Sequence, residues 1–166
     1  MSFVPRDPDF ARRVRASFEQ QAAMRLLGVE LERVVPGEVD LALPFRADLT
    51  QQHGFVHAGV LTAAVDSACG FAALSLMEPG AAVLSVEFKV QLLAPARGAW
   101  FRALGRVVRS GRTLTVVTGE VRAFASAPGD AAAGAVAATR SSRWPPRSRS
   151  APPRRRTGRC PATSRS

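Results

Sequence analysis

Cysteine and histidine are scarce in this chain: its 166 residues include two of each. Cys69 lies inside an apolar stretch and Cys160 in a proline-rich end, so neither a disulfide framework nor a metal-ligand spacing can be drawn. Cys69 reads as a small buried hydrophobe. Residues 1–20 carry charges throughout and have no apolar h-region. With no signal peptide in view, the expectation is a cytoplasmic protein. An uncharged apolar run of membrane-spanning length is missing too. Residues 59–77 are long enough, but Asp66 sits near their middle, with Thr62, Ser67 and Ser75 beside it. A carboxylate at mid-bilayer costs roughly 2.5–3.5 kcal/mol or more, which argues against a membrane span.

Acidic residues are absent from residues 140–166, where nine of the 23 basic residues fall. The preceding residues therefore set 14 basic side chains against all 13 acidic ones, a net of +1. Nine of the ten net positive charges come from the tail, and they give no reason to expect a nucleic-acid ligand for the domain. With 46% apolar and 22% charged residues, the chain can build one cored domain, expected over residues 1–139.

The tail itself has five prolines and almost no aliphatic residues, which cannot make a core. A basic arm for nucleic acid is one reading of it, and a disordered extension is another. The reading favoured here is that the chain runs out of frame from about residue 139. Thr139 to Pro145 can be encoded by GC-rich codons whose neighbouring frame spells alanine, glutamine, leucine, alanine, methionine and alanine. That is an apolar strand where a sheet would want its last one. The nucleotide sequence tests this: stop codons in that frame, or no apolar continuation, would end the idea.

The domain's periodicities are clearer. Residues 8–27 repeat Phe10, Val14, Phe18 and Ala22 at four-residue spacing, which predicts an amphipathic helix stopped by Gly28. Val29, Leu31, Val39, Leu41 and Leu43 alternate with polar residues around Pro36-Gly37, which predicts a hairpin. A polar loop leads into residues 60–77, apolar on nearly every helical face and so expected to be buried all round. Pro79-Gly80 ends that helix. Strand patterns follow at 82–95, 99–109 and 114–124, with a turn at Ser110-Gly111-Arg112 and a final strand beginning at 135–139. Strands in succession after one buried helix imply an antiparallel sheet rather than βαβ units. The class is α+β, with the sheet curled around one long central helix.

The chemistry gathers in residues 51–68. Gly54 and Gly59 place a turn at the start of the buried helix, where free backbone N–H groups and the helix dipole suit an anion or oxyanion. Asp66 lies about two turns into that apolar helix. An isolated buried carboxylate is costly, so it has either structural partners or a role. His57 by itself reads more readily as a positioned structural histidine, and His53 as a loop residue. Neither has a companion at metal-ligand spacing, so no metal is expected.

This segment resembles the PaaI-like branch of the hotdog-fold acyl-CoA thioesterases. Their motif carries an amide residue, a Gly, a His-Gly-Gly turn and then a helix with an Asp or Glu nine residues after the His. His57 and Asp66 have that spacing, and the segments LSVEFKVQLLAPARG and SGRTLTVVTGEV resemble the strands that follow. The likeness spans residues 24–139. It implies a hotdog fold and hydrolysis of acyl-CoA, aromatic or medium-chain, without a cofactor. It also implies a homodimer or homotetramer whose site forms between subunits, with no nucleic-acid or membrane partner.

Carried over, Asp66 is the catalytic acid, acting as nucleophile or activating water. Ala58 offers the N–H that polarises the thioester carbonyl, Gln51 positions substrate or water, His57 shapes the turn, and Ser85 helps hold the attacking water. Gly54 and Gly59 line the substrate site. Arg97, Arg109 and Arg112 are candidates for the coenzyme phosphates, and Phe55, Phe71 and Leu74 for the depth of the acyl pocket. Gln51 and Ala58 replace the family's Asn and first Gly, so the amide sits on a longer arm and a Cβ stands beside the carbonyl. The alternatives are a non-catalytic acyl-CoA-binding hotdog module and a hotdog enoyl-CoA hydratase.

Overall fold

A computed structural model describes residues 3–126. The expected final strand at 135–139 and the 140–166 tail lie outside the described residues. The order of elements is α1 (Phe10–Glu19), α2 (Ala22–Leu27), β1 (Glu30–Val35), β2 (Glu38–Pro44), a 3-10 turn (Ala47–Leu49), α3 (Ala58–Leu74), β3 (Trp100–Ser110) and β4 (Thr115–Phe124). The strands form an antiparallel meander in the order β1-β2-β3-β4, and α3 lies across one face.

The β1–β2 turn is tight because Gly37 takes φ +78°, in the left-handed region that favours glycine. Val39, Leu41, Leu43, Phe101, Ala103 and Val107 face the helix and are buried with Ala64, Ala68, Phe71 and Leu74. The opposite face is charged. Arg33 pairs with Glu38 at 2.8 Å, Arg106 with Asp40 at 2.5 Å and Arg102 with Glu32 at 2.6 Å. The hydrogen bond from Arg33 holds the Glu38 carboxyl below its ordinary range. One apolar and one charged face suit an antiparallel sheet packed on one side only.

Close approach of α3 to the sheet depends on two glycines opposite each other in the β3–β4 register, Gly105 and Gly119. A Cβ on Gly105 would overlap the backbone carbonyl of Ala68; one on Gly119 would meet the side chains of Val65 and Cys69. Backbone yields less readily than side-chain ends. Gly105→Ala is therefore expected to cost about 1–3 kcal/mol by overpacking, and more than Gly119→Ala. Denaturant midpoints of the two variants check this order.

The far end of α3 is held by α1. The Arg13 guanidinium donates to the carbonyls of Leu74 (3.2 Å), Met77 (2.6 Å) and Glu78, and pairs with Asp7 at 3.0 Å. The Leu74 carbonyl belongs to the last helical turn and the other two follow it, where a cation is favoured. Ser75, fully buried, donates to Ala72 O and accepts from the Gly37 N–H, both at 2.7 Å.

The structure departs from the sequence pattern in four places. The expected 8–27 helix breaks at Gln20–Gln21, with Gln21 extended at φ −75°, ψ 94°. Continued four-residue spacing from Val14 would have buried Leu26, which is 74% exposed; the break turns Met24 inward instead. The central helix is buried on its sheet side, but Leu61, Thr62, Val65, Asp66 and Cys69 are only half-covered. Cys69 is thus half-buried rather than buried. Finally, residues 82–95 make no ladder in the four-stranded sheet, and their side chains are exposed.

Candidate active site

The loop before α3 is built by its own backbone. Thr50 bridges Val56, the Gln51 N–H donates to Phe55 O at 2.8 Å, and the Gly54 N–H donates to Gln51 O at 2.9 Å. Gly54 closes the turn at φ +79°. The Gln51 side-chain oxygen accepts from the His53 N–H, which folds the longer arm back into the loop and leaves its amide nitrogen as the free end. Val56 N–H donates to Ala96 O at 3.3 Å and His57 N–H to Leu49 O at 2.9 Å, so both flanks of the loop are anchored.

His57 is the N-cap of α3. Its Nδ1 accepts from the Gly59 N–H at 2.9 Å. The ring proton therefore sits on Nε2, and a doubly protonated ring could not hold this cap. The Val60 and Leu61 N–H groups donate to His57 O at 3.0 and 3.5 Å. Of the four amides that begin the helix, the Ala58 N–H is the one that meets no acceptor among the described residues. Gly59, expected to help bind substrate, has its own amide occupied.

Asp66 lies half-buried on α3. Ser85 Oγ donates to its Oδ1 at 2.7 Å, joining the helix to the segment that follows it. One turn on is Cys69. Burial, and then the nearby Asp66 charge, push its thiol up to about 11. At pH 8 that leaves only on the order of a thousandth as thiolate, too little for a nucleophile. Cys69→Ala is expected to keep turnover within about threefold, and iodoacetamide at pH 8 to leave Cys69 unmodified in the folded protein. The same shift has a sign for stability. The protonated thiol's contribution is complete below the unfolded value near 9 and is lost as pH rises toward 11.

Ala58 and Asp66 are eight residues apart on one helix, so about 12 Å along its axis. No single carbonyl group can touch both within one chain.

The arginines divide. The Arg97 guanidinium stacks 4.7 Å from the Phe55 ring centroid, beside the Ala58 loop. Arg109 ends β3 and Arg112 lies in the β3–β4 turn, both exposed. Trp100 and Arg109 are nine residue steps apart along β3, about 30 Å, so within one chain Arg109 and Arg112 stand at the opposite end of the sheet from Arg97. Phe71 and Leu74 are used up by the core, Phe71 meeting Phe18 edge to face at 5.7 Å, and Phe55 remains at the loop. Two groups went unnoticed in the sequence: Ala96, whose carbonyl anchors Val56, and Thr62, whose Oγ1 donates to Ala58 O at 2.9 Å. A backbone acceptor leaves no mark in residue type, whereas Thr62, one turn after Ala58, was open to inspection.

A family-level sequence model described as the thioesterase superfamily matches residues 53–126, which hold the loop from His53 on, Asp66, Ser85 and both following strands. A Halobacterium salinarum protein with a provisional esterase name is 34% identical over 113 residues, spanning 65% of this chain and 74% of its own length. A thioesterase family protein of Silicibacter pomeroyi, known from its crystal structure, is 52% identical, with a TM-score of 0.68 over 69% of this chain and 85% of that one. The chain belongs to the thioesterase superfamily. The PaaI protein of the E. coli phenylacetic acid degradation operon, 21% identical with a TM-score of 0.64, shares the fold. A long helix on an antiparallel sheet is the hotdog architecture expected from the sequence, and thioester hydrolysis is the general activity of this family. No helix among the described residues is long and apolar enough to cross a membrane.

Proposed function

We propose that the chain hydrolyses acyl-coenzyme A thioesters, aromatic or medium-chain, to the free acid and coenzyme A, at a site made by two copies. The observation that carries this reading is the Asp66 carboxylate, half-buried on an apolar helix with Ser85 Oγ on one oxygen at 2.7 Å. Oδ2 is left to take a water. Asp66 draws a proton from that water as its oxygen bonds to the thioester carbon. The carbonyl oxygen gains the charge and accepts from the Ala58 N–H of the other copy, a reading supported by the roughly 12 Å along the helix between Ala58 and Asp66 of one chain. The carbon–sulfur bond then breaks, and the proton held by Asp66 passes to the leaving thiolate. Gln51 and His57 keep the loop in shape, with Gly54 and Gly59 at its turn. Arg97, fixed on Phe55, supplies charge for the coenzyme phosphates, and Arg109 and Arg112, at the opposite end of the sheet of the same chain, join it only if they come from the other copy.

Release of free thiol from a panel of aromatic and medium-chain acyl-CoAs tests the proposal. Release from at least one of them is expected. Binding of acyl-CoA without thiol release would replace it with a binding module, and hydration of an enoyl-CoA would replace it with a hydratase.

A further inference from the structure

A titratable ring is built into the turn that presents the Ala58 N–H. His57 Nδ1 accepts from the Gly59 N–H at 2.9 Å. That bond runs from residue 59 back to the side chain of residue 57, so it closes a ring of atoms with Ala58 inside it. The peptide plane bearing the Ala58 N–H has a second tie, because its carbonyl, His57 O, accepts from Val60 and Leu61 at 3.0 and 3.5 Å. The imidazole is also fitted against Gly59. A Cβ there would lie 3.1 Å from Nδ1 and 3.3 Å from Cε1.

We propose that protonation of His57 opens this turn and switches the site off, so that the acidic limb of turnover belongs to His57 rather than to the general base. The part of this that concerns turnover rests on the thioesterase reading; the opening of the turn rests on the geometry of the cap. A proton taken up at Nδ1 turns the acceptor into a donor, and that donor then faces the Gly59 N–H. It also sets a full positive charge at the positive end of the α3 dipole. Both effects drive the ring off the turn. The bonds from Val60 and Leu61 do not involve the ring, so the helix keeps its start. What is lost is the tie that closes around Ala58.

The charged and titratable groups on the elements beside His57 are few. The 3-10 turn, whose Leu49 O accepts from the His57 N–H, carries Asp48, paired with Arg46 at 2.6 Å. The loop carries His53, and Arg97 stacks on Phe55. On α3 itself Asp66 is nine residues on, about 13 Å along the axis. His57 forms no ion pair with any of them among the described residues. In the two-copy site the partner's Asp66 stands across from Ala58, and a charged ring is drawn toward it and out of the turn.

The test is thiol release from the best acyl-CoA between about pH 5 and 8, where imidazoles titrate, beside an NMR titration of the full chain. Turnover is expected to fall at least tenfold through a one-proton step in that range. The Gly59 amide proton is expected to shift with the same midpoint as the His57 ring and independently of His53. His57→Ala removes the cap and is expected to be at least tenfold slower at the upper end of the range, since misplacing a reacting group by about 1 Å can cost a hundredfold. His57→Asn supplies an N-cap oxygen that accepts from the same amide and does not titrate. It is expected to recover most of the activity lost in His57→Ala and to lack the one-proton step. A step that persists unchanged in His57→Asn, an asparagine variant no faster than the alanine one, or a Gly59 amide that ignores the His57 titration would each overturn the proposal. A Gly59 amide that follows the ring in a protein releasing thiol from no acyl-CoA would sink the thioesterase reading and leave the titrating cap standing.

Discussion

Ala58→Pro is expected to lower turnover of the best acyl-CoA by about 10²–10³-fold while leaving the fold intact. The reasoning starts from the helix. Ala58 is the first residue of α3, the position where proline is best tolerated, since an amide there has no partner within the helix. The preceding residue, His57, has φ −62° and ψ 135°, inside the extended region that a residue before proline adopts. Proline therefore removes one N–H and little else. That N–H is the amide left without an acceptor among the described residues at the start of the helix. In comparable sites one donor to an oxyanion is worth about 2.7–4 kcal/mol, which gives the expected factor. Ala58→Gly keeps the N–H and should stay within about threefold of the parent. Thermal melts beside steady-state kinetics separate the effects. Turnover of Ala58→Pro close to the parent's would remove Ala58 from the mechanism.

Asp66→Asn is expected to cost at least about a hundredfold in turnover, the scale of losing a general base. The substitution is nearly isosteric, and its amide oxygen can still accept from Ser85 Oγ, so the link between α3 and the following segment survives. What disappears is the ability to hold a proton. Ser85→Ala should cost less, because it removes the group that orients the carboxylate and spares the base. Near-normal thiol release by Asp66→Asn would refute the assignment.

Much of the fold was legible locally. Pro36-Gly37 marked the hairpin turn, Pro79-Gly80 lay just past the helix end, and the alternation of β2 named its buried face. These signals are carried by residues near one another in the chain. The break at Gln20–Gln21 was not legible, because the choice of Met24 over Leu26 is made by the core rather than by the helix. Nor did the strand pattern at 82–95 reveal that the segment would make no ladder with the described strands. Alternation reports readiness to pair and is silent on who pairs. The half-covered side of α3 has the same origin, since an all-round apolar helix needs cover that the described part of one chain does not supply.

For the site, the sequence by itself determined the chemical inventory. It holds a carboxylate nine residues after a histidine, a small residue at the start of the helix, and a serine in the next strand-like segment. Those follow from residue type and helical spacing, which are local properties. Tertiary structure alone decided which helix amide stays free, that Ser85 reaches Asp66, and that Arg97 rests on Phe55 while Arg109 and Arg112 stand at the other end of the sheet. Each of these depends on distance and direction between groups placed by the folded backbone, and the order of residues along the chain does not encode them locally.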